Sequence, residues 1–334
     1  MSFFSNEKKG KQNEKYLDFP PKKITLKDDA FHDSAKGASV EWWYFDCIFD
    51  NGYSIHIGFN LIKKKKLGFA NTILDIYKDG ENVAKRKKRH LLHHSQASKE
   101  YPFVKMGNNA IMEFDMERYK KKGEWVYNVK QNLDGFGVCL TFVSNNSGFK
   151  IETDAESWAV PLPKASVTGD ITINGKKINV SGIGYHDHNW NYTLLTLMNY
   201  GRGWYWGKIW GEKFTVIFAN IIKSSTRSDK LAVIYLEDKG FFNINPKNIN
   251  FIADKFIRDH RKKIPTNFII NFDDVVEDIS VHVDAKMEAE EIHYSRQLVA
   301  SYWRYHAKTT GSISLGSKKE TIDSTQIIEY MIFS

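Results

Sequence analysis

Thiols and prolines are scarce in this chain of 334 residues: cysteine occurs only at Cys47 and Cys139, and there are 7 prolines. Two thiols over this length set up neither a disulfide framework nor a thiolate zinc site, and fit a reducing compartment. Both are expected to pack within strands. So few prolines, beside 42% hydrophobic and 14% aromatic residues, exclude a disordered or linker-dominated chain. Long apolar runs are missing too. No stretch approaches the ~20 uninterrupted apolar residues of a membrane-spanning helix, and residues 1–19 lack the apolar run of a signal peptide. The expectation is a cytoplasmic protein. No Gly-rich phosphate loop, Gly-x-Ser-x-Gly elbow or Cys-His nucleophile arrangement occurs, which excludes nucleotide-dependent chemistry and implies no cofactor.

What is present suffices for two cores, because 334 residues exceed what one hydrophobic core usually organises. Residues 1–24 are polar and Lys-rich, end near Pro20-Pro21, and read as a flexible leader. From there, short runs of Val, Ile, Phe, Tyr and Thr alternate with turn signals such as Asp50-Asn51-Gly52, Asp79-Gly80, Asp134-Gly135 and Asn174-Gly175. That is the pattern of a hairpin meander and an all-β fold. Helix is expected only at 250–260 and 289–298. A boundary falls between Asn189 and Gly203, giving domains at 25–195 and 196–334. The segment Glu41-Trp42-Trp43-Tyr44-Phe45-Asp46 is echoed by Gly203-Trp204-Tyr205-Trp206-Gly207-Lys208, each followed by a turn and a second strand, as tandem barrels of one ancestry would be. The net charge of +8 concentrates at 63–66 and 85–89. No nucleic-acid-binding motif accompanies it, so these runs are read as solvated hairpin loops or as a peripheral contact with an anionic membrane, with no nucleic acid as partner. His90, His93 and His94 are assigned to an exposed basic loop.

Residues 158–210 hold Trp158, Trp190, Trp204, Trp206 and Trp210, together with the segment Gly182-Ile-Gly-Tyr-His-Asp-His-Asn-Trp190. In an extended chain, Tyr185, Asp187 and Asn189 share one face, and His186, His188 and Trp190 the other. An Asp in an aromatic pocket has its charged form disfavoured, so Asp187 is a candidate general acid near neutral pH. Protonating a carbon–carbon double bond leaves a cation that the ring faces of Trp158, Trp204 and Trp206 can stabilise, while Asn189, His186 or His188 positions a water. The structural alternative is a satisfied polar network at a strand end. A lesser alternative makes His186 and His188 metal ligands, completed by His56 or His306. Trp42, Tyr44 and Asp46 alternate with Trp43, Phe45 and Cys47, so one side packs a core and the other faces the second domain or a ligand.

The pairing of Glu41-Trp-Trp-Tyr-Phe-Asp46 with Gly184-Tyr-His-Asp-His-Asn189, each followed by an aromatic hairpin, resembles the carotenoid 1,2-hydratase (hydroxyneurosporene synthase) superfamily, which includes lipocalin-like Diels–Alderases. The resemblance extends over most of the chain from about Ser39. It implies two tandem lipocalin-like domains and a Trp, Tyr and Asp that protonate a double bond. By motif position these are Trp158, Tyr185 and Asp187. The implied protein is a cofactor-independent hydratase or cyclase acting on an isoprenoid or similar apolar substrate. A non-catalytic carrier and a pericyclase are the competing readings.

Overall fold

The computed structural model describes residues 21–33, 37–152, 157–193, 202–236, 239–297 and 300–333. The β-rich composition is realised almost throughout, with one short α-helix at Met116–Lys122, capped by the Asp115 side chain and ended by Gly123 at φ 72°. The turn signals act as expected. Asp79-Gly80, Asp134-Gly135 and Asn174-Gly175 each place two successive residues at positive φ, the backbone that a two-residue hairpin turn demands.

The strands form one 13-stranded sheet, one nine-stranded sheet and a small two-stranded sheet. In the first, an 11-strand path curls into a nearly closed barrel; the other two sheets are open. The path begins at Glu81–Leu91 and runs back through Leu67–Lys78, Tyr53–Lys64 and Ser39–Phe49. It then jumps to Lys176–Thr193 and continues through Ser157–Ile173 to the remaining strands. The nine-stranded sheet repeats this order: Gly240–Asn243, Ser228–Leu236, Phe214–Ile222 and Gly203–Trp210, then Lys318–Phe333 and Ala300–Leu315. In both, the first long strand pairs with the last: Ser39–Phe49 with Lys176–Thr193, and Gly203–Trp210 with Lys318–Phe333. The change from one sheet to the other falls between Thr193 and Gly203.

Period-two alternation divides each strand between cores. Trp43, Phe45 and Cys47 enter the interior of the first sheet, while Tyr44, Tyr185, Trp206 and Trp210 form a separate cluster joining the two large sheets. Each large apolar side chain so buried contributes roughly 1.5–3 kcal/mol.

Several expectations need correcting. Residues 250–260 and 289–297 are strand and turn rather than helix, because their backbones pair with neighbouring strands, Ile249–Asp254 with Asn267–Val276 and Ile279–Arg296 with Ala300–Leu315; Leu298 lies outside the described residues. The basic run 85–89 is not a loop but part of the edge strand Glu81–Leu91, where lysines also discourage edge-to-edge pairing. His90 is buried in that strand against the Thr72 hydroxyl, whereas His93 and His94 are exposed. Cys47 is buried but Cys139 is exposed. Of the leader, residues 1–20 lie outside the described residues, while Lys22–Lys23 pairs with Phe149–Lys150 and Ile24 is buried. Among the described residues no helix is long and apolar enough to cross a membrane.

Gly184 marks where the last strand of the first sheet presses on its core. A Cβ there would stand 2.5 Å from Val167 Cγ2, 2.7 Å from Phe142 Cε1 and 2.9 Å from Cys47 Sγ. Gly184→Ala is therefore expected to cost about 1–3 kcal/mol of stability by overpacking. Urea denaturation measures it, and an unchanged midpoint would show that the core yields.

Candidate functional site

The strand carrying Gly182 to Trp190 lies between Ser39–Phe49 and Ser157–Ile173, with Asp187 opposite Tyr44, Asn189 opposite Trp42, and Trp158 opposite Asn189. Residues paired in register point to the same side, so Tyr185, Asp187 and Asn189 join Trp42, Tyr44 and Trp158 on the face toward the second sheet. Trp158, Tyr185 and Asp187, the three residues singled out by the resemblance, meet there. Trp158 Nε1 donates to Asp187 Oδ2 at 3.2 Å, the Tyr185 hydroxyl donates to the same oxygen at 2.9 Å, and Asn189 Nδ2 donates to Oδ1 at 3.1 Å. Asp187 is 6% exposed. Burial outweighs these donors and pushes its carboxyl up to about 7, while burial and the neighbouring Asp187 push the Tyr185 hydroxyl well up. The result is a carboxyl that titrates near neutrality, held by neutral donors.

The opposite face holds a different network. His186 sits between the Tyr44 carbonyl at 2.9 Å and Asp29 Oδ2 at 3.0 Å, and its ring stacks on Phe45 at 3.8 Å. His188 Nε2 meets Glu41 Oε1 at 2.9 Å, and its ring stacks on Trp43 at 4.4 Å. Both are fully buried, so the structure does not bring His186 and His188 to the face of Asp187. Nor do they join His56 or His306, which bond Asp75 and Ser54 respectively. A different set of donors is grouped: His32, Glu41 and His188 offer ligand atoms within 4.8 Å of one another. His32 Nδ1 and His188 Nε2 both approach Glu41 Oε1, at 3.4 and 2.9 Å, the second an ordinary hydrogen-bond distance. His188 Nδ1 also lies 3.2 Å from the Asp28 carbonyl, so the set ties residues 28–41 to the strand.

Between the two large sheets lies a cleft of about 180 Å³. Along the register its floor passes from Val40 and Ile62 through Trp42, Asn60 and Asn71 to Tyr44, Gly58 and Ile73, ending at His56. Trp204, Met331, Phe333, Tyr302 and Glu329 line it from the second sheet. Of the sequence-derived candidates, Trp42, Tyr44 and Trp204 line the cleft. Asp187 stands one strand over from Tyr44, about 5 Å between backbones. Trp206 packs between the two sites, its ring centroid 5.2 Å from Tyr185 and 5.6 Å from Tyr44.

Sequence reasoning missed the charged group at the inner end of the cleft. Arg304 Nη1 donates to the Tyr44 hydroxyl at 2.6 Å and to Glu329 Oε1 at 3.0 Å, and its Nη2 lies 3.5 Å from Asp46 Oδ2. Lys208 Nζ donates to the same Asp46 oxygen, and burial pulls the lysine down against that attraction. The Tyr302 hydroxyl donates to Glu329 Oε1 at 2.6 Å. One signal was available: Arg304 interrupts the aromatic strand Tyr302-Trp303-Arg304-Tyr305 and must be answered by an acid.

No protein-family model matches the chain. The quinolone epoxide rearrangement protein penF of Penicillium thymicola is 40% identical over 65 residues, a stretch covering 19% of this chain and only 17% of that protein. Solved structures match over nearly the whole length. A Nitrosomonas europaea protein assigned as AttH has a TM-score of 0.63 at 14% identity, covering 96% of this chain and 98% of that one. Kievitone hydratase from Nectria haematococca has a TM-score of 0.57 at 12% identity, covering 93% of each chain. CghA with Sch210972 has a TM-score of 0.56 at 9% identity, covering 89% of this chain and 88% of that one. These likenesses show that the chain shares its fold with these proteins.

The raised Asp187 carboxyl has a consequence for stability. Between the unfolded value near 3.8 and about 7 the folded state holds a proton that the unfolded state has lost, so stability falls as pH rises through this window. Asp187→Asn, which stays neutral, should match the wild type near pH 4 and exceed it at pH 8 by on the order of 3 kcal/mol. Melting temperatures across that range test this, and a pH-independent difference would contradict it.

Proposed function

We propose that this protein is an enzyme that binds an apolar, unsaturated small molecule between its two large sheets and transfers a proton to it from Asp187. The observation that carries the reading is a buried carboxyl titrating near 7, bonded among the described residues to the neutral donors Trp158, Tyr185 and Asn189, one strand from an aromatic cleft. A general acid is most useful when its pKa lies near the operating pH. In this reading Tyr185 and Trp158 hold the carboxyl, and the ring faces of Trp158, Trp206 and Trp204 stabilise positive charge on the substrate. No step requires a cofactor. The reaction would be hydration or cyclisation at a carbon–carbon double bond, of the kind carried out by carotenoid 1,2-hydratases on isoprenoids.

The names of the similar proteins support this direction: a hydratase, a protein that rearranges a quinolone epoxide, and a protein crystallised with a small organic molecule. The shared strand order supports reading 25–195 and 196–334 as two lipocalin-like units of common origin. The basic strand Glu81–Leu91 at the open edge would meet the anionic, cytoplasmic surface of a membrane in which such a substrate dissolves. Co-sedimentation with anionic vesicles should then weaken as salt is raised, and salt-independent or absent binding removes that part of the proposal.

The central test starts from native mass spectrometry and organic extraction of the protein purified from its own cells, followed by incubation of any recovered apolar molecule with fresh enzyme. Asp187→Asn should keep the molecule bound but convert it at least about 100-fold more slowly. Conversion at the wild-type rate would replace the acid with catalysis by shape and orientation, as in a pericyclase. Retention with no conversion by either protein would leave a carrier.

A further inference from the structure

The two large sheets place carboxyls at corresponding positions. By register, Trp42 corresponds to Trp204 and Tyr44 to Trp206; Asp187 is paired with Tyr44, and Glu329 with Trp206. One strand further, Trp158 is paired with Asn189, and Tyr302 with Met331, so Trp158 and Tyr302 correspond as well. The hydrogen bonds repeat with the positions: Trp158 donates to Asp187 at 3.2 Å, and Tyr302 to Glu329 at 2.6 Å. Asp187 is the proposed acid. Glu329 is its counterpart, and it lines the cleft itself.

Glu329 is 8% exposed, and its bonds from Tyr44, Tyr302 and Arg304 all fall on Oε1. Oε2 has no hydrogen-bond partner among the described residues. Two further cleft residues offer acceptors. Asn71 is 5% exposed and its Oδ1 is buried without a partner. His56 has Nδ1 3.0 Å from Asp75 Oδ2, so Nδ1 carries the proton of that bond and Nε2 of the neutral ring is an acceptor. Unanswered buried acceptors are costly, and a ligand that supplies donors relieves that cost. Most of the remaining wall is aromatic or apolar, including Trp42, Trp204, Met331 and Phe333, with Asn60, Gln297 and Lys87 as further polar residues.

We propose that Glu329 is a ligand-binding carboxyl that accepts a hydrogen bond from a hydroxyl or N–H group of an otherwise apolar, ring-bearing ligand, with His56 and Asn71 as further acceptors. This rests on the reading that the cleft holds the substrate, and it narrows the substrate class to phenols, enols, alcohols or amides with an aromatic or polycyclic body. Such a group anchors the ligand at the Glu329 end and leaves its apolar part beside Trp42, one strand from Asp187.

The test compares binding of 2-naphthol with that of 2-methoxynaphthalene, which has the same rings but no donor, by quenching of tryptophan fluorescence. The wild type should prefer the naphthol by about tenfold, and Glu329→Gln should bring the ratio close to one. If Arg304 left without its partner prevents folding, Glu329→Gln with Arg304→Met removes one charge of each sign and reads the same ratio. Gly58→Val locates the probe. A Cβ at Gly58 makes only ordinary contacts, 3.4 Å and beyond, while the larger side chain enters the cleft and should abolish binding of both probes. Equal binding by the wild type, or a preference that survives loss of Glu329, overturns the inference and leaves the Asp187 proposal standing. Failure of both probes to bind, or binding unaffected by Gly58→Val, overturns the cleft reading and this inference with it. Asp187→Asn should leave the ratio unchanged, which separates the two carboxyls.

Discussion

The placement of every candidate residue depends on four buried charges between the large sheets. Asp46 comes from the first sheet; Lys208, Arg304 and Glu329 come from the second. Their side chains are at most 10% exposed. Withdrawing a charged group from water costs several kcal/mol even after relaxation, and only close, hydrogen-bonded partners offset it. Asp46 finds its cations only on the second sheet. Sliding one sheet over the other by a single residue would strand that carboxylate and send Lys208 toward an apolar face. The quartet therefore acts as a register pin. Tyr44 completes it with one proton for two carboxylates, Asp46 and Glu329, each 2.8 Å from its hydroxyl. Docked this way, Trp42 and Trp204 face a common cleft.

The pin also shows how corresponding positions differ between two sheets of the same strand order. Asp46 and Lys208 occupy corresponding positions on the first strands of the two sheets and pair with each other as complementary charges. The carboxyls on the last strands differ in their partners. Asp187 accepts only from an indole, a phenol and an amide, whereas Glu329 lies beside a guanidinium. Neutral donors weakly oppose the desolvation that favours the protonated acid, and a cation opposes it strongly. In the proposed function, one framework position would serve a proton donor in one sheet and an anchoring acceptor in the other.

Much of this was legible in the sequence, for identifiable reasons. Hairpin turns were marked because Asp-Gly and Asn-Gly steps adopt positive φ with little strain, as Asp134 and Asn174 do. The face shared by Tyr185, Asp187 and Asn189 followed from period-two alternation, which a strand cannot avoid. The weak helical expectations near 250 and 289 failed because short segments of mixed polarity fit either period, and pairing with Asn267–Val276 and Ala300–Leu315 decided the matter. Glu329 and Asn71 were not legible, and His56 was read only as a possible metal ligand. They converge from strands up to 273 positions apart, and only the docking of the two sheets makes them neighbours. His186 and His188 were legible as a pair but not in their partners, since Asp29 and Glu41 come from the far end of the same domain.

Those histidines explain how Asp187 can be held by neutral groups alone. A carboxyl that titrates near neutrality gains little from its own hydrogen bonds when protonated, so it cannot be relied on to fix its strand. The opposite face supplies that constraint. His186 and His188 flank Asp187 in sequence and point away from it, stacked on Phe45 and Trp43 and joined to Asp29 and Glu41. The backbone of Asp187 is thereby clamped on both sides by groups that do not touch its carboxyl. The strand separates two duties that conflict within one network: strong ionic contacts on the core face give position, and their exclusion from the cleft face leaves the acid free to exchange its proton. Strengthening the bonds around Asp187 with a cation would fix the geometry further and lower the pKa that makes it useful.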